Sequence, residues 1–209
     1  MMSWFQHACA GVVVAAAMSG CAGTGEVVPL QIQTLPTVRS VNQSFQDTKV
    51  VVEPFETGDM ADRLGARTHL WGGETVFAVQ GGKVGTVLAQ MVGDHLARLG
   101  FQVWVRKSAV QEVPARPDVT ITGQVQQLSA SARSRFFSTA MMARVKAAIR
   151  AANASDGSTV RLNLDGMRES AVFWFEPAEV QELVNRMLAE NLAKVMADIR
   201  VQDRALQTK

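Results

Sequence analysis

The cysteine at position 21 carries the clearest chemistry in this chain. Its thiol follows Ser19 and Gly20, two small residues, at the end of an apolar run from Ala8 to Met18. The run is too short to cross a bilayer, which takes ~20 apolar residues, and has the length of the apolar part of an export signal. Small residues before a cysteine let a signal peptidase close on the chain, and the thiol can carry a diacylglycerol. Met18-Ser19-Gly20-Cys21 therefore reads as a bacterial lipoprotein signal, with Met where such signals usually carry Leu and no Lys or Arg ahead of the apolar run.

Other groups offer little for catalysis. After residues 1–20 the histidines are His69 and His95. His95 falls on the apolar stripe of a predicted helix, which suits a core-edge histidine. His69 stands near Asp62, Arg63 and Arg67, but a hydrolase needs a nucleophile and an orienting acid beside it, and no serine sits in a G-x-S-x-G elbow. Gly81-Gly82-Lys83-Val84-Gly85-Thr86 lacks the spacing of a phosphate loop and reads as a turn into a helix. Cys9 lies within the signal, so with Cys21 acylated no cysteine remains for a disulfide, thiol redox chemistry or zinc. No catalytic residue, metal or cofactor is expected, and the chain is not expected to be an enzyme.

A surface is then the expected working part. Arg63, Arg67, His69 and Trp71 join charge, hydrogen bonding and an aromatic anchor, residue types common at binding hot spots, and form the candidate partner-binding set. Arg133, Arg135, Arg144, Lys146, Arg150 and Arg161 read as the solvated face of a sheet, with lipid headgroups or an acidic partner as a functional alternative. The neighbouring Phe136-Phe137 pair reads as core, with an apolar contact beside that basic surface as the functional alternative.

The formal charge is +2 over 209 residues, and residues 1–20 contain no Asp, Glu, Lys or Arg. Near-neutrality argues against a nucleic-acid surface. The predicted organisation is a signal peptide over 1–20, a flexible tether over 21–47 rich in Gly, Pro, Gln and Thr, and one α/β domain over 48–209.

Within that domain, Lys49–Glu53 and Glu74–Val79 read as strands around a long polar loop, 57–73. Val84, Val87, Leu88, Met91, Val92, Leu96 and Leu99 give a helical stripe that Gly100 stops. Residues 101–106 and 118–131 alternate as strands. Residues 142–152 are alanine-rich, as helices are, yet Ala143, Val145, Ala147, Ile149 and Ala151 alternate with polar or small positions, so they predict a strand. The turn at Ser155-Asp156-Gly157 makes 142–164 a hairpin. Ala171–Phe175 reads as an apolar strand end. Pro177 opens a second helix, with a stripe from Val180 to Ile199. The expected fold class is α+β, a mostly antiparallel sheet with two long helices packed on one face.

The whole resembles the YajG-like family of bacterial lipoproteins. The resemblance is carried by Met18-Ser19-Gly20-Cys21, Val50-Val51-Val52, Asp62-Arg63-Leu64-Gly65, Leu99-Gly100-Phe101, Asp118-Val119-Thr120-Ile121, the Asp156-Gly157 hairpin and the closing helix. It implies a small α/β lipoprotein on the periplasmic face of a membrane, with no settled biochemical role. Ala22, in place of an inner-membrane retention Asp, points to the outer membrane. The expected partners are the membrane, through the lipid on Cys21, and an envelope protein. The alternative is an auxiliary lipoprotein of a lipid or solute ABC-type transport system.

Overall fold

The computed structural model describes residues 25–33, 45–58, 62–107 and 113–208. In chain order these form β1 (Val27–Leu30), β2 (Lys49–Val52), β3 (Arg63–Thr68), β4 (Glu74–Val79), α1 (Val84–Leu99), β5 (Gln102–Val105), β6 (Val119–Arg135), β7 (Ser138–Asn153), β8 (Thr159–Val172), α2 (Pro177–Ala197), β9 (Ile199–Gln202) and β10 (Ala205–Thr208).

Order prevails over alanine content in β7. Every second residue from Thr139 to Asn153 is buried, while Met142, Arg144, Lys146 and Arg150 are exposed. Such alternation suits a strand with one wet face and would scatter around a helix. β7 pairs antiparallel with β6 and with β8, so the hairpin predicted over 142–164 is present. The turn closes with the Ser158 backbone N–H donating to the Asp156 carboxylate at 2.9 Å.

β6 buries Val119, Ile121 and Val125, then Leu128, Ala130 and Ala132. The change of parity comes from a β-bulge: Val125 pairs with Ala147 and Gln127 with Lys146, leaving Gln126 as the extra residue. A bulge bends and twists its strand. The far edge of β6 thus serves two partners, β2 at Val119–Ile121 and β3 at Ala132–Arg133, both parallel. β5 continues the sheet from β2, while β4 and then β1 continue it from β3.

The mostly antiparallel sheet expected from the sequence is corrected here. The eight-stranded sheet is mixed and curled into a half-barrel, with four parallel strand pairings and three antiparallel ones. Periodicity reports which face a strand buries, not the direction of a neighbour far along the chain. The two helices are as expected. Each packs on the inner face, α1 over β2, β5 and β6, α2 over β1, β6, β7 and β8. α1 ends at Gly100, whose φ of 110° belongs to the left-handed region that glycine enters freely.

Three further expectations change. Residues 27–30 of the expected tether form β1, and its continuation is clamped to α2. There Gln31 N–H donates to Gln181 Oε1 at 2.8 Å, and Gln33 N–H to Asn185 Oδ1 at 3.0 Å. Residues 63–68 of the expected loop form β3. A Cβ built at Gly65, where φ is 144°, would collide with the Ala130 carbonyl, so glycine is what lets β3 lie against β6. The last helix stops at Ala197. Ile199, read as part of its stripe, opens a two-stranded hairpin with β10. The buried Asn153 side chain holds that hairpin, accepting from Leu206 N–H at 2.9 Å and donating to the Leu206 carbonyl at 2.8 Å.

Candidate functional site

Strand directions bring three connections to one end of the sheet. There β3 turns into β4 through 69–73, β6 turns into β7 through Phe136-Phe137, and β8 leaves for α2 through 173–176. Each connection carries large apolar side chains, and solvent reaches most of their surface. Trp71 is 88% exposed, Phe137 81%, Trp174 77%, Phe136 70% and Phe173 69%. Scattered exposed hydrophobics are ordinary; five from three connections at one end make a candidate contact surface.

The rings also meet. Trp71 and Phe136 form an edge-to-face pair with centroids 6.4 Å apart, and Phe173 stacks on Trp174 at 6.2 Å. Between them opens a cleft of about 530 Å³, lined by Arg67, His69, Trp71, Phe137, Trp174 and Phe175 among others. Arg67 forms part of its floor. Its Nε donates to Ser134 Oγ at 3.1 Å, and its guanidinium lies 4.0 Å from the Phe175 ring centroid. Burial lowers the Arg67 pKa from its ordinary value, but arginine remains a cation at physiological pH. His69 Nε2 lies 2.8 Å from Thr75 Oγ1, which ties the ring to β4.

Of the predicted site residues, Arg67, His69 and Trp71 come together here. Arg63 does not: it sits exposed at the opposite end of β3, about 13 Å along the strand from Arg67. Cys21 lies outside the described residues. Phe136 and Phe137, expected in the core, are at the surface because a two-residue turn at the sheet end gives them nothing to pack under. Phe173 and Trp174, read as a strand end, follow the last paired residue, Val172. Their sequence resembled a buried strand, and only the end of the pairing reveals otherwise.

The predicted basic group shares one surface. Register places Arg133, Arg135, Arg144, Lys146, Arg150 and Arg161 on the outer face of β6–β8, with Asp165 and Glu169 among them. His95 is buried on α1. Among the described residues, no group of three or more His, Cys, Asp or Glu is placed to hold a metal, and no helix is long and apolar enough to cross a membrane.

No protein-family model and no curated protein matches the sequence. Solved structures resemble it only in part. A Xanthomonas campestris protein of the DUF330 family shares 12% identity, with 81% of this chain and 92% of that chain covered, at a TM-score of 0.47. PelC from Paraburkholderia phytofirmans, a dodecamer, shares 13% identity over 75% of this chain and 95% of that one, at 0.41. Lipoprotein GNA1162 from Neisseria meningitidis shares 10% over 70% and 99%, at 0.34. These likenesses place the chain in no family.

Proposed function

We propose that this chain is a lipid-anchored, non-enzymatic protein of the bacterial envelope that acts by binding through its aromatic end. The observation that carries the reading is the convergence of Trp71, Phe136, Phe137, Phe173 and Trp174 from three separate connections, all largely exposed. Water around five such rings costs stability, which a folding role would have removed by burial or by polar replacement. The Met18-Ser19-Gly20-Cys21 motif supplies the anchor, and Ala22 favours the outer membrane over the inner.

Site-specific photocross-linking in intact envelopes tests the binding end. A photoreactive residue at position 71, 137 or 174 should give adducts, while one at 146 or 161 on the outer sheet face should give only background. Adducts confined to 146 and 161 would overturn the assignment of the aromatic end. Acylation is read separately. Mass spectrometry should find a lipid on Cys21, and Cys21→Ala should leave an uncleaved precursor; an unmodified mature N-terminus at another residue would overturn the anchor.

A further inference from the structure

The point where the chain enters the fold lies beside the aromatic cluster. Gly25 N–H donates to the Glu74 carbonyl at 2.8 Å, and Glu74 follows directly on the Trp71-Gly72-Gly73 turn. β1 then runs parallel to β4, away from that turn, with Val27 beside Val76 and Leu30 beside Val79. The chain therefore enters from the aromatic end. It cannot swing out there, because β1 is paired in the sheet and Gln31 and Gln33 are held by α2. Cys21 is four residues before Gly25. Even fully extended, that segment reaches at most about 14 Å.

We propose that the aromatic end is a second membrane contact, in which Trp71, Phe136, Phe137, Phe173 and Trp174 sit in the headgroup and upper acyl region of the bilayer that holds the lipid on Cys21. The inference deepens the reading above and rests on its anchor. A lipid within about 14 Å of Gly25 leaves no length of tether to lift this end far from the surface. Trp is enriched at membrane interfaces, where an apolar ring with a polar edge is half wet and half dry. Val27, 57% exposed on the entering strand, adds apolar surface on the same side.

The turn at Phe136-Phe137 supports this independently. Arg135 and Ser138 pair, so these two phenylalanines are the whole connection. Phe137 has a φ of 61°, where glycine is favoured and a bulky aromatic is rare. Neither turn geometry nor packing asks for phenylalanine, since the ring is exposed. A strained and exposed residue points to a contact outside the domain.

The three tryptophans downstream of the signal make the test internal. Trp71 and Trp174 are at the aromatic end, whereas Trp104 is on β5, level with Val51 and Thr120 at the far end of β6. Full-length protein carrying Trp4→Phe is prepared in vesicles of phosphatidylethanolamine and phosphatidylglycerol with bromine on the acyl chains. Pairwise Trp→Phe changes leave one reporter at a time among positions 71, 104 and 174. The expected result is loss of emission from Trp71 and Trp174, strongest for bromines nearest the headgroups, with Trp104 unaffected. Circular dichroism confirms that each variant is folded, and mass spectrometry reads Cys21 in the same samples. Quenching at 71 and 174 with Cys21 acylated supports the proposal; the same quenching with Cys21 unmodified keeps the aromatic contact and overturns the anchor. Acylated protein with 71 and 174 unquenched overturns the proposal. If those two are also shielded from aqueous iodide, the surface belongs to a second copy or another protein. Quenching of all three equally, as in wholesale insertion, also overturns it.

Discussion

Arg67 on β3 stacks against Phe175, the ring just before α2, with the guanidinium carbon 4.0 Å from the ring centroid. With its bond to Ser134, the side chain ties together three segments far apart in the sequence: β3, β6 and the lead into α2. Arg67→Ala should cost about 1–2 kcal/mol, from a partly desolvated cation–π contact and one hydrogen bond. In thermal unfolding that is a fall of roughly 2–8 °C for a domain of this size. Arg67→Lys should recover less than half, because an ammonium cannot present a planar face to the ring. Trp71→Ala, at a site 88% exposed, should leave the midpoint nearly unchanged.

Gly65→Ala should be far more damaging than its size suggests. The new methyl would meet the Ala130 carbonyl, and a φ of 144° is one that side chains avoid. Separation of β3 from β6 should cost about 2 kcal/mol or more. Chemical denaturation measures it, and hydrogen exchange should show β3 and β4 losing protection before β7.

Phe137→Gly separates folding from surface chemistry. Glycine relieves the left-handed strain but adds freedom to the unfolded chain, so stability should change by less than about 1 kcal/mol. A loss well beyond that, in an equilibrium urea titration, would mean that the ring packs on the domain.

Asp156 predicts a small pH dependence. The Ser158 backbone N–H, followed by the Ser158 side chain, holds its carboxyl below the ordinary value. A folded-state pKa that is depressed contributes stability above the unfolded value of about 3.9 and loses it as pH falls through the folded value. Asp156→Asn should therefore lower the thermal midpoint at pH 7. The difference from the parent should shrink as pH drops below about 4.

How far the sequence revealed this fold depended on the range of the interactions. α1, β7, β8 and the turn at Asp156-Gly157 follow from periodicity and turn chemistry that act within a few residues, and all were legible. β1 and β3 were not. Val27–Leu30 and Arg63–Thr68 are short and broken by Pro29 and Gly65, and they are strands because distant partners accept them. The bulge at Gln126 left no mark beyond a change of parity from Val125 to Leu128, readable only with the pairing known. At the site, Arg67, His69 and Trp71 were visible as suitable types in one stretch. Arg63 was grouped with them by proximity in sequence, which a strand of six residues undoes. Phe136 and Phe137 read as core, and Phe173 and Trp174 as a strand end or staple, because hydrophobicity alone does not say where a strand runs out of partners.

The forked edge of β6 has a consequence for the order of folding. β7 follows β6 and pairs with it, and β8 follows and pairs with β7, each through a short turn, so their closure needs little chain search. β2 and β3 must wait for β6, their parallel partner late in the sequence. During synthesis from the N-terminus, β1 to β5 and α1 emerge first and stay incomplete until residues 119–135 arrive. Cold-start refolding should accordingly show amide protection in β6–β8 ahead of β2 and β5. The unfinished N-terminal half is then the part most exposed to chaperones and proteases before the chain is complete.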